Sequence, residues 1–133
     1  MDVLADTHTI LWFVNDPSKL SAAADTALSQ ADLAGEKIYL SAITLVEVTY
    51  LAEKGKVSAA DKAELLKVLL DPNEPVVVLP VSQEIALQME QISRATVPNM
   101  QDRIIAATAL VHNLPLVTRD TQLRSLSNIR TIW

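Results

Sequence analysis

The chain has 133 residues, half of them hydrophobic, with a formal net charge of −5 and no cysteine. That length fits one domain over residues 1–133 with a sizeable core. The acidic balance argues against a general nucleic-acid coat, and the absent cysteines exclude disulfides and thiolate metal sites. No apolar run approaches the roughly 18 residues of a bilayer span, and Met1-Asp2 lacks a basic signal n-region. The expectation is a cytoplasmic protein with no membrane association. Its mean hydropathy of +0.23 fits a buried self-association surface.

Val3-Leu4-Ala5 reads as a short buried strand. Thr9 to Val14 is apolar and helical, ended by the turn Asn15-Asp16-Pro17-Ser18. Leu20 to Leu33 carries apolar residues near helical spacing. Ile38 to Ala42 is a second strand. Thr44 to Lys54 is a helix with Gly55 as its stop, and Ser58 to Leu70 is another. Val76 to Leu79 is a third strand, apolar on both faces as in a buried parallel sheet. Ser82 starts a helix through Ile85, Met89 and Ile92. The next runs from Asn99 or Met100 to near Asn113. Pro115 to Thr118 is a fourth strand, a short turn or helix follows Asp120, and Ile129 to Trp133 is the last strand. Strands alternating with helices predict an α/β fold: a central, mostly parallel sheet flanked by helices in three layers.

Four acids, Asp6, Glu47, Asp102 and Asp120, fall at seams where a strand gives way to a helix or turn. Strand ends of one polarity share one rim of a parallel sheet, so the four can meet in one cleft. Hard cations such as Mg²⁺ and Mn²⁺ prefer carboxylate oxygens and water. One or two such ions orient a phosphodiester, activate a water and stabilise the leaving oxyanion.

Each acid also has a structural reading. Thr44-Leu45-Val46-Glu47 matches a capping box, Asn99 caps the helix containing Asp102, and Asp6 and Asp120 each suit an N-cap. Thr7 and Thr118 stand beside these acids, where a hydroxyl orients water or phosphate, or bonds to local backbone. Arg103 and Arg119 adjoin Asp102 and Asp120, to clamp phosphate or offset acidic repulsion. Because neighbours on a strand point to opposite faces, Arg119 is expected to point away from Asp120. His8 reads as a helix-start or core histidine, and Trp12, Phe13 and Trp133 as core. Only two glycines are present, so neither a P-loop nor a dinucleotide fingerprint is possible.

Asp6-Thr7-His8-Thr9-Ile10-Leu11-Trp12 resembles the opening of PIN-domain toxins of the VapC type. Ser41-Ala42-Ile43-Thr44-Leu45-Val46-Glu47 is similar to their second motif. Asp102 to Ala109 and Pro115-Leu116-Val117-Thr118-Arg119-Asp120 match the third and fourth, in order. The resemblance implies a PIN-like fold and a Mg²⁺- or Mn²⁺-dependent endoribonuclease, the toxin of a type II pair. It also implies an RNA substrate, a homodimer, and a small antitoxin covering the active-site groove. Carried over by motif, the catalytic and metal-binding residues are Asp6, Glu47, Asp102 and Asp120. Thr118 is implied as a helper, and Thr7, Thr118 and Arg103 are the substrate-binding candidates. In one departure, Asn99 stands where this branch often has a further aspartate. The rival readings are a non-catalytic PIN-like protein-binding module and a housekeeping RNA-processing PIN nuclease.

Overall fold

The computed structural model describes all residues, Met1 to Trp133. Five strands form one sheet: β1 (Val3–Ala5), β2 (Ile38–Ser41), β3 (Val76–Leu79), β4 (Leu116–Val117) and β5 (Thr131–Ile132). Their order is β3-β2-β1-β4-β5, and every pairing is parallel. The helices are α1 (Thr7–Asn15), α2 (Ala22–Leu33), α3 (Ala42–Glu53), α4 (Ala59–Leu70), α5 (Gln83–Gln88), α6 (Met100–His112) and α7 (Thr121–Arg124).

Strand alternation sorts the core into two layers. Val3, Ala5, Ile38, Leu40 and Val117 pack with Ile10 and Leu11 of α1, Leu28 of α2 and Leu65 of α4. Leu4 and Leu116 point the other way, against Ile85 of α5, Ile104 and Ile105 of α6 and Leu123 of α7. Helices on both faces explain why the central strands carry no polar alternation: β1 is buried at every position. The expectation that Val76 to Leu79 is buried on both faces fails. β3 is an edge strand, and Val77 is 36% exposed.

Short polar residues set the helix starts. Ser21, Ser58, Ser82 and Asn99 each accept a backbone N–H from the first turn of the helix they cap. The capping box at Thr44 and Glu47 does not form. β2 runs straight into α3, so Ser41 is the cap, its Oγ accepting from Ile43 N at 3.2 Å. Thr44 and Glu47 thus lie inside the helix. Gly55, at φ 72°, ends α3 as expected, and Asn113 takes the left-handed conformation at φ 51° that closes α6. No helix is long and apolar enough to cross a membrane.

Candidate active site

The chain builds outward from β1 in both directions. It goes to β2 and β3 on one side, then crosses to β4 and β5 on the other. The sheet therefore has its switch point between β1 and β4, where diverging connections leave a crevice beyond the strand ends. A groove of about 890 Å³ opens there, lined by all four acids: Asp6, Glu47, Asp102 and Asp120.

Asp6 follows β1 and caps α1. Its Oδ1 accepts from Thr9 N at 3.0 Å, and its Oδ2 accepts from the Thr118 hydroxyl. Both oxygens are thus fixed from two elements, α1 and the end of β4. Asp120 caps α7, with Oδ1 accepting from Gln122 N at 2.9 Å and Leu123 N at 3.0 Å. Its own N–H donates to Thr118 Oγ1 at 3.1 Å. One buried hydroxyl therefore joins the two strand-end acids across the crevice.

Glu47 and Asp102 are held differently. Glu47 Oε2 is buried without a hydrogen-bond partner. Burial pushes the Glu47 carboxyl above its usual 4.5; nearby His8 and the Thr7 side chain oppose this, and repulsion from Asp6 adds to it. Asp102 lies in the first turn of α6, where its backbone N–H is capped by Asn99 Oδ1 at 3.0 Å. Its carboxyl is pushed from 3.8 up to about 7, first by burial, then by repulsion from Asp120, Glu47 and Asp6. Glu47 and Asp102 are thus the two acids whose ionisation is resisted, by burial first and by the neighbouring carboxylates second.

The donors suit a hard divalent cation in kind, since all are carboxylates and one oxygen is buried and unpartnered. As they stand, no three of them converge tightly enough to cage an ion. All four nonetheless line the same groove.

The three substrate-binding candidates lie in different settings. Arg103 does not reach the groove. Its guanidinium donates to Met89 O at 2.9 Å and to Ile92 O at 3.0 and 3.2 Å, tying α6 to the turn after α5. Thr118 is fully buried, its hydroxyl engaged by Asp6 and by the Asp120 N–H. Thr7 lines the groove but is only 2% exposed; its hydroxyl donates to Thr44 Oγ1 at 3.1 Å.

Other residues reach the groove instead. Trp12, expected in the core, is half-buried and lines it, as do exposed His8 and Arg119. The strand ends at Val117, so alternation does not turn Arg119 away. Its guanidinium lies over the Trp12 ring at 5.6 Å. The Trp12 ring is also flanked by His8 at 5.7 Å and Trp133 at 6.0 Å. On α3 and its C-cap, Tyr50, Leu51 and Lys54 join Glu47 along the wall, at the i, i+3, i+4, i+7 spacing of one helix face. That stripe was legible in the sequence, had Glu47 been used as its anchor.

Fold and groove together define a class: an open, doubly wound α/β domain with a carboxylate-lined crevice at its switch point. Residues 3–129 match the PIN domain. The chain is 32% identical over 133 residues to Ribonuclease VapC22 of Mycobacterium tuberculosis, covering 98% of each. It therefore belongs to the PIN domain family. Among solved structures it superposes on VapBC2 from Rickettsia felis, bound to a DNA fragment from their promoter. That TM-score is 0.74 at 18% identity, covering 98% of this chain and 97% of the other. A toxin-antitoxin complex from Klebsiella pneumoniae matches with a TM-score of 0.63 at 23% identity, over 95% and 93%.

Proposed function

We propose that residues 1–133 form a single catalytic domain, a divalent-metal-dependent endoribonuclease that is the toxin of a type II toxin–antitoxin pair. The observation that carries the chemistry is the convergence of Asp6, Glu47, Asp102 and Asp120 on one groove, with an unpartnered buried oxygen on Glu47. Kinship with a ribonuclease supports RNA as the substrate. Likeness to toxin-antitoxin complexes supports a small antitoxin that covers the groove. A cytoplasmic homodimer completes the reading.

Asp6, Glu47, Asp102 and Asp120 would hold one or two Mg²⁺ or Mn²⁺ ions. Bound there, a divalent cation supplies charge neutralisation at the phosphodiester and a more acidic attacking water. The protein's own contribution is positional. Asp6 is the central carboxylate, with both oxygens oriented by Thr9 N and Thr118 before any ligand enters. Asp120 keeps Oδ2 free while Oδ1 serves α7. Glu47 and Asp102 carry no such bonds, so they can turn toward an ion or hold a water. Without a cation the acidic groove repels RNA.

The test is cleavage of a fluorescent RNA with Mg²⁺, with Mn²⁺ and with a chelator, using wild type and Asp6→Asn. Cleavage should need the ion and vanish in the variant while its melting curve stays cooperative. Equal cleavage in a chelator, or in Asp6→Asn, would exclude this mechanism.

A further inference from the structure

The groove has a second pole. Along α3, Lys54 lies seven residues beyond Glu47, about 10 Å down the helix axis. Along α1, Trp12 lies one turn beyond His8. The α3 wall therefore runs from Glu47 past Tyr50 to Lys54, and Trp12 and Arg119 line the same groove.

Arg119 is the arginine of this groove, and it is exposed. It shares the groove with four carboxylates, yet it forms no ion pair. The ion pairs in the chain are Met1 with Glu36, Lys19 with Asp16 and Lys67 with Glu64. An unrestrained guanidinium beside carboxylates is expected to fork onto one of them. Here it rests on the Trp12 face instead. Trp12 is itself wedged between His8 and Trp133, and Trp133 packs on the core. The indole thus acts as a shelf that holds the guanidinium away from the acids. Its planar fork of N–H donors remains unspent, and such a fork matches phosphate geometry.

We propose that Arg119 is a substrate-binding residue that grips the RNA phosphate next to the scissile one, with Trp12 the positioning residue that seats it and Lys54 adding charge beyond it. This rests on the ribonuclease reading above. It extends that reading by giving the groove a polarity: the scissile phosphate at the carboxylates, its neighbour at Arg119. This contact would place the RNA by its backbone and read no base itself. The Trp12–Trp133 packing becomes part of substrate placement.

The test measures binding of a short, unstructured fluorescent RNA by anisotropy, in Ca²⁺ to prevent turnover, across a KCl series. Wild type, Arg119→Ala, Arg119→Lys and Trp12→Leu are compared, with melting curves as the check on folding. Arg119→Ala should weaken binding roughly ten- to hundredfold, the scale of a charged hydrogen bond. It should also flatten the slope of log K against log salt by about 0.7, one single-stranded phosphate contact. Arg119→Lys should restore the slope but only part of the affinity, because it returns the charge without the fork. Trp12→Leu should weaken binding although Arg119 is intact, because the guanidinium falls back onto the acids. RNA binding by Arg119→Ala with wild-type affinity and slope overturns this proposal alone. Wild-type protein that binds no RNA overturns the ribonuclease reading and this proposal with it.

Discussion

Asp102→Asn should make the metal-free protein more stable, although it removes a residue proposed to be essential. The Asp102 carboxyl is pushed from 3.8 to about 7 by burial and by its acidic neighbours. At face value that is about 4 kcal/mol of disfavoured charge above neutral pH. The carboxyl opens onto groove water, so screening reduces it to ~1–2 kcal/mol. Asparagine has nearly the same shape and cannot ionise, so the variant escapes that penalty. The sign follows from proton linkage. A carboxyl with a raised folded pKa contributes stability that is complete below its unfolded value and lost as pH rises through the folded one. Wild type should therefore lose stability between about pH 4 and pH 7 that Asp102→Asn does not lose. At pH 8 with a chelator, the variant should melt roughly 4–8 °C higher, the scale expected for a domain of this size. The two should converge near pH 4. Added Mn²⁺ should raise the wild-type melting temperature, since a ligand specific to the native state must stabilise it, and should raise the variant's far less. Circular dichroism melts across pH decide the matter. An Asp102→Asn that melts lower than wild type at pH 8, or a gap that does not change with pH, would refute the claim of electrostatic strain at this site.

Thr118→Val keeps the shape but removes the donor to Asp6 and the acceptor for Asp120 N–H. It should cost about 1–3 kcal/mol in denaturant melts, the range for a buried polar group left unpaired, and lower RNA cleavage at least tenfold. Arg103→Ala removes donors to the Met89 and Ile92 carbonyls. It should destabilise by about 1.5–3 kcal/mol while RNA affinity per folded molecule stays at the wild-type value; a weakened affinity would return Arg103 to the substrate path. Metal affinity should fall as pH drops below about 7, because the ion competes with a proton on Asp102; calorimetric titration of Mn²⁺ at two pH values reads this directly.

The fold was legible where one periodicity dominated. Val3-Leu4-Ala5, Ser58 to Leu70 and Asn99 to Asn113 can be placed to within a residue or so, because their caps and apolar spacing agree. The start of α3 was not, because Ser41 and Thr44 are both competent caps. Only the end of β2 decides between them. Arg103 and Trp12 fail for another reason. An arginine beside an aspartate reads as a site residue, and an indole in an apolar run reads as core. What each touches depends on contacts from the turn after α5 and from Arg119, far away in sequence. The four acids could be grouped from strand polarity alone. Their common crevice, however, depends on β4 lying beside β1, and strand order is set by long-range packing that local pattern does not encode.

Helix capping and the proposed metal binding use different atoms of these acids. Asp6 and Asp120 are caps, yet capping uses Oδ1 in both. Asp6 Oδ2 is left to the Thr118 hydroxyl, and Asp120 Oδ2 faces no backbone donor. A helix N-terminus also favours the charged carboxylate, so capping prepares these two for a cation rather than diverting them. Glu47 and Asp102 cap nothing; Ser41 and Asn99 do that work on their helices. Relieved of it, they are the two acids whose protons are held above the usual carboxylate range. The site therefore combines two acids fixed by the backbone with two left free and strained. Only a cation, or protons, relieves that strain. Removing either free acid should stabilise the metal-free fold, and removing either fixed acid should loosen the helix it caps.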